Sequence, residues 1–355
     1  MPQATCLRVS KKLGEKAIRL VRELELYNGK LKVEQTGDTI CIPLNAEPSP
    51  AALETFQHGL SDFEVLVHDF SEQEYRHLVP VDFLADKIPS NLLENIPKAI
   101  DFVGDIAIVE IPSELTEYKP AIGEAILAAH KHTKTVLAKS GAVEGVYRLR
   151  DFEVIAGVNK TVTVYREYGC IYHVDVARAY FSPRLSTEHN RVASLVNEGE
   201  TVVDLFAGVG PFAVPIAKHQ KTVQVYAIDV NPDAVAFLKK NVAVNRVEKQ
   251  VTSILGDARQ VVNDQLSGKA DRVIMNLPET ALDFVDVACI ALKPEGGVTH
   301  FYGFAQGEDP LEAVQVRLTE AVTKNGRTVS NIQLTKTVRE VAPYSWQVVV
   351  DARIQ

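Results

Sequence analysis

From about residue 178 onward two kinds of hydrophobic pattern alternate. Short apolar runs such as TVVDLF, QVYAID and DRVIMN are separated by longer stretches with apolar residues three and four apart. Short runs bounded by turn residues read as buried strands, and the longer spacing reads as helix. The pattern predicts strands at 201–206, 223–229, 251–256, 271–276, 297–304, 328–338 and 345–354. It predicts helices near 186–197, 211–219, 232–244, 279–292 and 308–325. Strand–helix alternation of this kind builds a doubly wound, mainly parallel seven-stranded sheet.

The first half reads differently. Residues 1–75 form a small α+β unit: a basic helix over roughly 12–26, strands in LKVEQTG and DTICIPL, then an acidic, aromatic tail. A linker with a lead-in helix follows, punctuated by Pro80, Pro89 and Pro97. Between about 99 and 175, FVGDIAIVEIP reads as one strand and KPAIGEAILAAHKHTK as an amphipathic helix. Several short strands come next. Arg148 and Arg150 alternate with Tyr147, Leu149 and Phe152, which sets both arginines on one strand face. Such a face is either a solvated edge or a surface aimed at a substrate. The expected division is 1–75, 76–177 and 178–355: two small α+β domains, then a Rossmann-like α/β domain.

Composition narrows the class. The chain has 355 residues, 46% hydrophobic and 24% charged, as soluble globular proteins do. No apolar run approaches the ~20 residues of a bilayer span. The N-terminus MPQATCLRVSKKLGEK lacks the features of a signal peptide, so a cytoplasmic location is expected. Cys6, Cys41, Cys170 and Cys289 lie too far apart for a disulfide framework or a C-x-x-C metal site. His130 and His132, the one close histidine pair, read as part of a surface helix, and no metal is expected. Net charge is −8, yet residues 1–32 carry eight Lys/Arg against three acids, and residues 33–75 carry no Lys or Arg. That polarity suits either a phosphate-facing surface or a solvated helix face.

Candidate chemistry begins at DLFAGVGPFAVPIAK, residues 204–218. Gly208, Gly210 and Ala213 match the dinucleotide spacing G-x-G-x-x-A. That fingerprint has no use for Asp204, four residues before the first glycine. In doubly wound sheets ligands bind at the carboxyl ends of the strands. Four strands here end in Asp204, Asp229, Asp257 followed by Ala258, and the turn Asn276-Leu277-Pro278. Asp229 fits either cofactor, since an acid there can take the ribose hydroxyls of an adenosine. The other three suit a cofactor carrying a sulfonium and an ammonium, which a pyrophosphate does not resemble. Asp257 can reach an adenine amine, and Asn276 and the Leu277 carbonyl can accept from a nitrogen about to be alkylated. Singly, each acid is as well explained as a helix cap. Together they point to S-adenosylmethionine. The N-L-P-E turn resembles the Asn-Pro-Pro-aromatic turn of methyltransferases acting on nitrogen, with Leu277 inside it and no aromatic after Pro278.

ARAYFSPRLSTEHNRV (177–192), VYRLRDFEVIAG before it, DLFAGVGPFAVPIAK after it, NLPET, and CLRVSKKLGEKAIRLVRELEL near the N-terminus together resemble the archaeal tRNA (guanine-37-N1)-methyltransferases. The similarity runs along essentially the whole chain. It implies transfer of a methyl group from S-adenosylmethionine to N1 of guanosine 37. The expected partner is tRNA, held at its elbow by the N-terminal module and at the anticodon stem-loop by the other two domains, with the protein acting as a monomer. By resemblance, Glu188 is the general base, Arg148 positions the guanine, and Asn276 with Pro278 forms the active turn. Cofactor contacts fall on Asp204, Phe206, Gly208, Asp229, Asp257, Ala258, Asn276 and Pro278. RNA contacts fall on Arg148, Arg150, Tyr180 and Arg184. His189 stands where the family commonly has arginine. It offers the cofactor carboxylate at most one directed hydrogen bond, and it remains a candidate contact. The rival readings are an NAD-dependent dehydrogenase, a non-catalytic tRNA-binding protein, and methylation of a wyosine precursor at the same nucleotide.

Overall fold

The structure, a computed structural model, describes residues 2–72, 78–145, 147–307 and 309–355. The chain divides into two compact units, Met1–Leu78 and Val79–Gln355.

The first unit contains strands β1 (Gln3–Ser10), β2 (Glu34–Thr36), β3 (Thr39–Pro43) and β4 (Glu64–Asp69) and helices α1 (Gly14–Glu23) and α2 (Pro50–Gly59). Its antiparallel sheet has the order β2-β3-β1-β4. The stretch expected to be an acidic tail is α2 and β4. Ser49 starts α2 by accepting from the Ala52 N–H at 3.3 Å, with Pro50 in the first turn. Phe56 and Leu60 join the core of Leu7, Val21 and Ile42, Ala52 is buried one turn before Phe56, and Glu54 between them faces water. The acids masked a helical stripe.

In the second unit, 3₁₀ turns at Pro80–Phe83 and Ser90–Asn95 stand where a lead-in helix was expected. Each proline disfavours α geometry in the residue before it. The segment is packed down: Leu84, Ile88 and Ile96 are buried against Ile122 and Ile126. A second sheet follows, with strands β5 (Ile100–Val103), β6 (Ile106–Val109), β7 (Thr135–Glu144) and β8 (Leu149–Gly157) in that order. FVGDIAIVEIP is therefore a hairpin rather than one strand. Gly104 makes its turn at φ +58°, where a Cβ would lie 2.3 Å from Thr163 Oγ1. Helix α3 (Lys119–Ala129) covers this sheet and ends before His130 and His132, which lie outside any helix. Arg148 precedes β8 in a left-handed conformation, φ +54°. It does not share a strand face with Arg150, because the turn breaks the alternation. The hairpin β9 (Val162–Glu167) and β10 (Cys170–Asp175) comes next.

The largest sheet contains β11 (Thr201–Asp204), β12 (Gln224–Asp229), β13 (Val251–Leu255), β14 (Arg272–Met275), β15 (Gly297–Gln306), β16 (Val329–Ala342) and β17 (Ser345–Ile354). Its order is β13-β12-β11-β14-β15-β17-β16, with β17 antiparallel to both neighbours. Alternate residues supply two cores, as the period of two requires. Val203, Val273, Phe301 and Val350 pack under α8 (Val285–Ala291) and α9 (Pro310–Lys324). Val202, Val225, Ile274 and Tyr302 pack under α4 (Ser186–Leu195), α5 (Ala213–His219) and α6 (Pro232–Val244). The short α7 (Ala258–Val261) follows β13. Asn241 in α6 ties β10 to this domain, accepting from the His173 N–H at 2.7 Å and donating to the His173 carbonyl at 3.0 Å. The strand order reverses between β11 and β14, and the cleft opens there. Among the described residues, no helix is long and apolar enough to cross a membrane.

Candidate active site

The chain leaves β11 through a turn that only glycine fits comfortably. Gly210 has φ +93°, and a Cβ on it would lie 2.6 Å from Leu238 Cδ1. Gly208, at φ +53°, donates its N–H to Asp229 Oδ2 at 2.7 Å. The other oxygen of Asp229 accepts from the Asn231 N–H at 2.8 Å, so one carboxylate joins the glycine turn to the start of α6. Burial raises the Asp229 pKa, partly offset by those backbone donors. Asp257 caps α7, accepting from the N–H groups of Arg259 at 2.9 Å and Gln260 at 3.2 Å. It is both the cap and a wall of the cleft.

Asp229, Asp257, Ala258, Asn276, Pro278, Phe206 and Gly208 line one cleft. Phe206 packs edge-on against Phe284, 5.0 Å between centroids, and gives the cleft an apolar wall. Asp204 is not in the lining. It is fully buried at the end of β11, with Oδ1 3.4 Å from the Phe206 N–H and Oδ2 without a hydrogen-bond partner among the described residues. Burial, reinforced by the charge of Asp229, pushes its pKa up to about 7. An orphaned buried carboxylate oxygen below a glycine turn fits a cationic cofactor.

Arg148 and Tyr180 line both this cavity and a second one beside it. The Arg148 guanidinium donates to Glu279 Oε1 at 2.9 Å and lies over the Tyr180 ring, 5.9 Å from its centroid. Arg150 and Arg184 line the second cavity. Arg184 grips Asp101 through two hydrogen bonds, 2.5 and 3.1 Å.

Like Asp204, two further expected residues, Glu188 and His189, do not reach the cleft. Glu188 is 1% exposed and lies one helical turn beyond Leu185, which does line it. Arg191 Nε donates to both its oxygens at 3.0 and 3.3 Å, the Tyr302 hydroxyl donates at 3.1 Å, and Lys336 pairs with it. Burial alone would raise its pKa, but the Arg191 and Lys336 hydrogen bonds outweigh it and the carboxyl lies below its ordinary value. His189 is buried as well, with Nδ1 2.8 Å from Glu167 Oε1 and its ring edge-on to Phe212. His189 fills the core instead of extending to the cavity.

Sequence reasoning missed Arg339, Gln347 and Phe304, all in the lining. They come from the last three strands of the sheet, where no glycine turn or strand-end acid marks them. Gln347 Nε2 donates to Asn276 Oδ1 at 3.2 Å. Among the described residues, no group of three or more His, Cys, Asp or Glu side chains is arranged to hold a metal.

The TRM5/TYW2 methyltransferase domain family matches residues 163–330, the TYW2 N-terminal domain matches 81–161, and the tRNA methyltransferase 5 N-terminal domain matches 6–52. The tRNA (guanine(37)-N(1))-methyltransferase Trm5b of Pyrococcus abyssi is 36% identical over 353 residues, 98% of each chain. The chain belongs to the Trm5 family of tRNA methyltransferases. The solved structure of the Pyrococcus abyssi Trm5b matches this Trm5-family chain with a TM-score of 0.70 at 35% identity, covering 99% of both. A solved complex of aTrm5 with tRNALeu matches with a TM-score of 0.69 at 30% identity, again over 99% of both chains. The tRNA 4-demethylwyosine(37)-methyltransferase Taw21 of Saccharolobus solfataricus is 34% identical over 264 residues, 73% of this chain and 95% of its own. With this membership the nicotinamide-dehydrogenase alternative falls away.

Proposed function

We propose that this protein transfers the methyl group of S-adenosylmethionine to N1 of guanosine 37 in tRNA. The observation that carries the reading is the meeting of Asp229, Asp257 and the Asn276-Leu277-Pro278 turn with Arg148 around one cleft. S-adenosylmethionine supplies an electrophilic methyl group. Asp229 would hold the ribose hydroxyls and Asp257 the adenine amine, while Asp204, buried beneath the glycine turn and outside the lining, would favour a cationic end by its charge without touching it. A base inside a stack is out of reach, so the nucleotide must swing out before its edge meets the cleft. Guanine N1 carries a proton at neutral pH. We assign its removal to Glu188, whose buried carboxylate must first leave Arg191, Tyr302 and Lys336 and turn toward the cleft, and stabilisation of the charge growing on O6 to Arg148. The new N1–carbon bond forms as the carbon–sulfur bond breaks, and the N1 proton passes to the carboxylate. Asn276 orients the reacting edge. Tyr180, Arg150 and Arg184 contact the RNA on the second-cavity side.

Three domains, 1–75, 76–177 and 178–355, share the work in this reading: tRNA-elbow binding, anticodon-loop grip, and chemistry. A cytoplasmic location goes with a tRNA substrate. The decisive assay compares methylation of a tRNA transcript carrying G37 with one carrying A37. Incorporation into G37 alone, recovered as N1-methylguanosine, supports the reading; equal or absent incorporation sinks it. Asp229→Ala should weaken S-adenosylmethionine binding by about 1.5–3 kcal/mol, the range for hydrogen bonds to a charged group, measured by calorimetry. A second reading, methylation of 4-demethylwyosine at the same nucleotide, draws on the similarity to Taw21. The same assay on tRNA bearing that base tests it.

A further inference from the structure

The Asn276 amide is one end of a hydrogen-bonded chain. Arg339 in β16 and Gln347 in β17 are direct cross-strand partners. The ladder slips on both sides of Arg339, between Thr337 and Arg339 and between Glu340 and Ala342. Bulges of this kind re-aim side chains at sheet edges, and β16 is an edge strand. Arg339 Nε donates to Gln347 Oε1 at 2.9 Å, and Gln347 Nε2 donates to Asn276 Oδ1 at 3.2 Å. The other guanidinium nitrogens donate to Ser182 Oγ at 3.0 Å and to the Tyr180 hydroxyl at 3.2 Å.

The direction of this chain is dictated at its head. A guanidinium has donors and no acceptor, whereas an amide has both and can turn over. With Arg339 at the head, Gln347 must offer its oxygen to the arginine and its N–H to Asn276. Asn276 must then turn its oxygen toward Gln347. The flipped amide would set N–H against N–H beside a glutamine that is only 1% exposed, and an unmade buried hydrogen bond is unfavourable. Asn276 is left with one lone pair on Oδ1 and its two N–H groups, in a fixed arrangement. The arginine also holds Tyr180, the ring over which Arg148 lies. One side chain thus links the Asn-Leu-Pro turn to the aromatic ring under the guanine-side arginine.

We infer that Arg339 is a positioning residue for methyl transfer. Through Gln347 it sets the polarity of the Asn276 amide, and through Tyr180 it steadies the support of Arg148. This rests on the assignment of the cleft to methylation of guanosine. The rival role is a phosphate contact, since Arg339 also borders the second cavity and its hydrogen-bond partners there are neutral.

The test is single-turnover methylation of a G37 transcript at saturating tRNA and S-adenosylmethionine, with Arg339→Lys, Arg339→Met and Gln347→Glu. Lysine keeps the charge but not the planar fork. Glutamate keeps a partner for Arg339 yet offers Asn276 an acceptor, which reverses the amide. The rate should fall roughly 10–100-fold in all three, the scale of a misplaced reacting group. Both dissociation constants should stay within about threefold of wild type, and lysine should not rescue. Wild-type rates in Arg339→Lys overturn the proposal. So does a loss confined to tRNA affinity with a shallower salt dependence, the mark of a phosphate contact. Gln347→Glu removes no positive charge and carries the test if the arginine variants fail to fold. Failure of the wild-type protein to methylate the G37 transcript is a separate result, which overturns the functional reading itself.

Discussion

Asp204 and Glu188 are two buried carboxylates: burial drives the pKa of the first up, while cationic neighbours pull that of the second down. Asp204 has one weak backbone donor and no cation, and its pKa rises to about 7. Glu188 has Arg191, Lys336 and Tyr302 around it, and its pKa falls. For Asp204, the unfolded chain gives up its proton near the ordinary value of ~3.9 while the folded chain keeps it to about 7. Between those limits the folded state binds more protons, so stability falls as pH rises, by up to the order of 4 kcal/mol. Asp204→Asn should remove most of that slope, giving a cofactor-free Tm that changes less between pH 5 and 8 than in wild type. A cationic ligand near Asp204 should favour its ionised form, so S-adenosylmethionine binding should tighten with pH up to about 7 in wild type and stay flat in the asparagine variant. Equal pH slopes in the two proteins count against the orphaned carboxylate as the cause. For Glu188 the sign is reversed. Its base form is already present at mildly acidic pH, so the acid limb of the single-turnover rate should lie low. Lys336→Met removes a lowering charge and should move that limb upward. Glu188→Gln should slow the chemical step by roughly 10²–10⁴-fold if the carboxylate takes the N1 proton. Near-normal turnover in the glutamine protein would reduce Glu188 to an anchor for Arg191 and Lys336.

The β11–α5 turn separates two uses of glycine. At Gly210 a Cβ would press on Leu238, a fully buried side chain, at φ +93°. At Gly208 the nearest atom to a Cβ is the Tyr180 carbonyl oxygen at 3.7 Å, and the position borders the cavity. Gly210→Ala should therefore lose stability, on the order of 1–3 kcal/mol from backbone strain and overpacking. Gly208→Ala should be milder in denaturant midpoint but should weaken S-adenosylmethionine binding. Loss of stability without loss of affinity at Gly208 would assign it to the fold alone. The turn was legible in the sequence because its demands are local: a strand run, two glycines and a helix in fifteen residues. The strand-end acids Asp229 and Asp257 and the turn at Asn276 were legible for the same reason, since a parallel sheet delivers the ends of its strands to one place. Arg339 and Gln347 were not. Their position depends on bulges in β16 and on cross-strand register near an antiparallel edge, neither of which leaves a periodic trace. Arg148 was found, but its surroundings were misjudged. Alternation predicted a strand face, and the chain instead turns through φ +54° there. The acidic spacing of residues 47–64 hid α2, because the pattern of charge is louder than three apolar residues four apart.

At the scale of the whole molecule, the division of the chain makes a prediction about affinity and chemistry. Met1–Leu78 is a compact unit with its own core, built on Leu7, Val21, Ile42 and Phe56. Every residue placed in the cleft lies in Val79–Gln355, and the turn before β8 reaches the cavity through Tyr147 and Arg148. The N-terminal segment 1–32 carries the concentrated positive charge, against −8 for the chain. Phosphate contacts release counterions, so each contact steepens the fall of affinity with salt. Deleting residues 1–78 should leave a folded protein that binds S-adenosylmethionine with wild-type affinity. Its tRNA affinity should drop and lose salt dependence, with a smaller slope of log K against log salt. At saturating tRNA its single-turnover rate should stay within about tenfold of wild type, because Arg148, Glu188, Asn276 and their supports remain. Filter binding at several salt concentrations, with rapid-quench methylation of the same transcripts, measures both quantities on one preparation. A deletion protein that binds the cofactor normally but makes no N1-methylguanosine at any tRNA concentration would show that the first unit takes part in the chemistry, by placing the anticodon loop as well as gripping the tRNA.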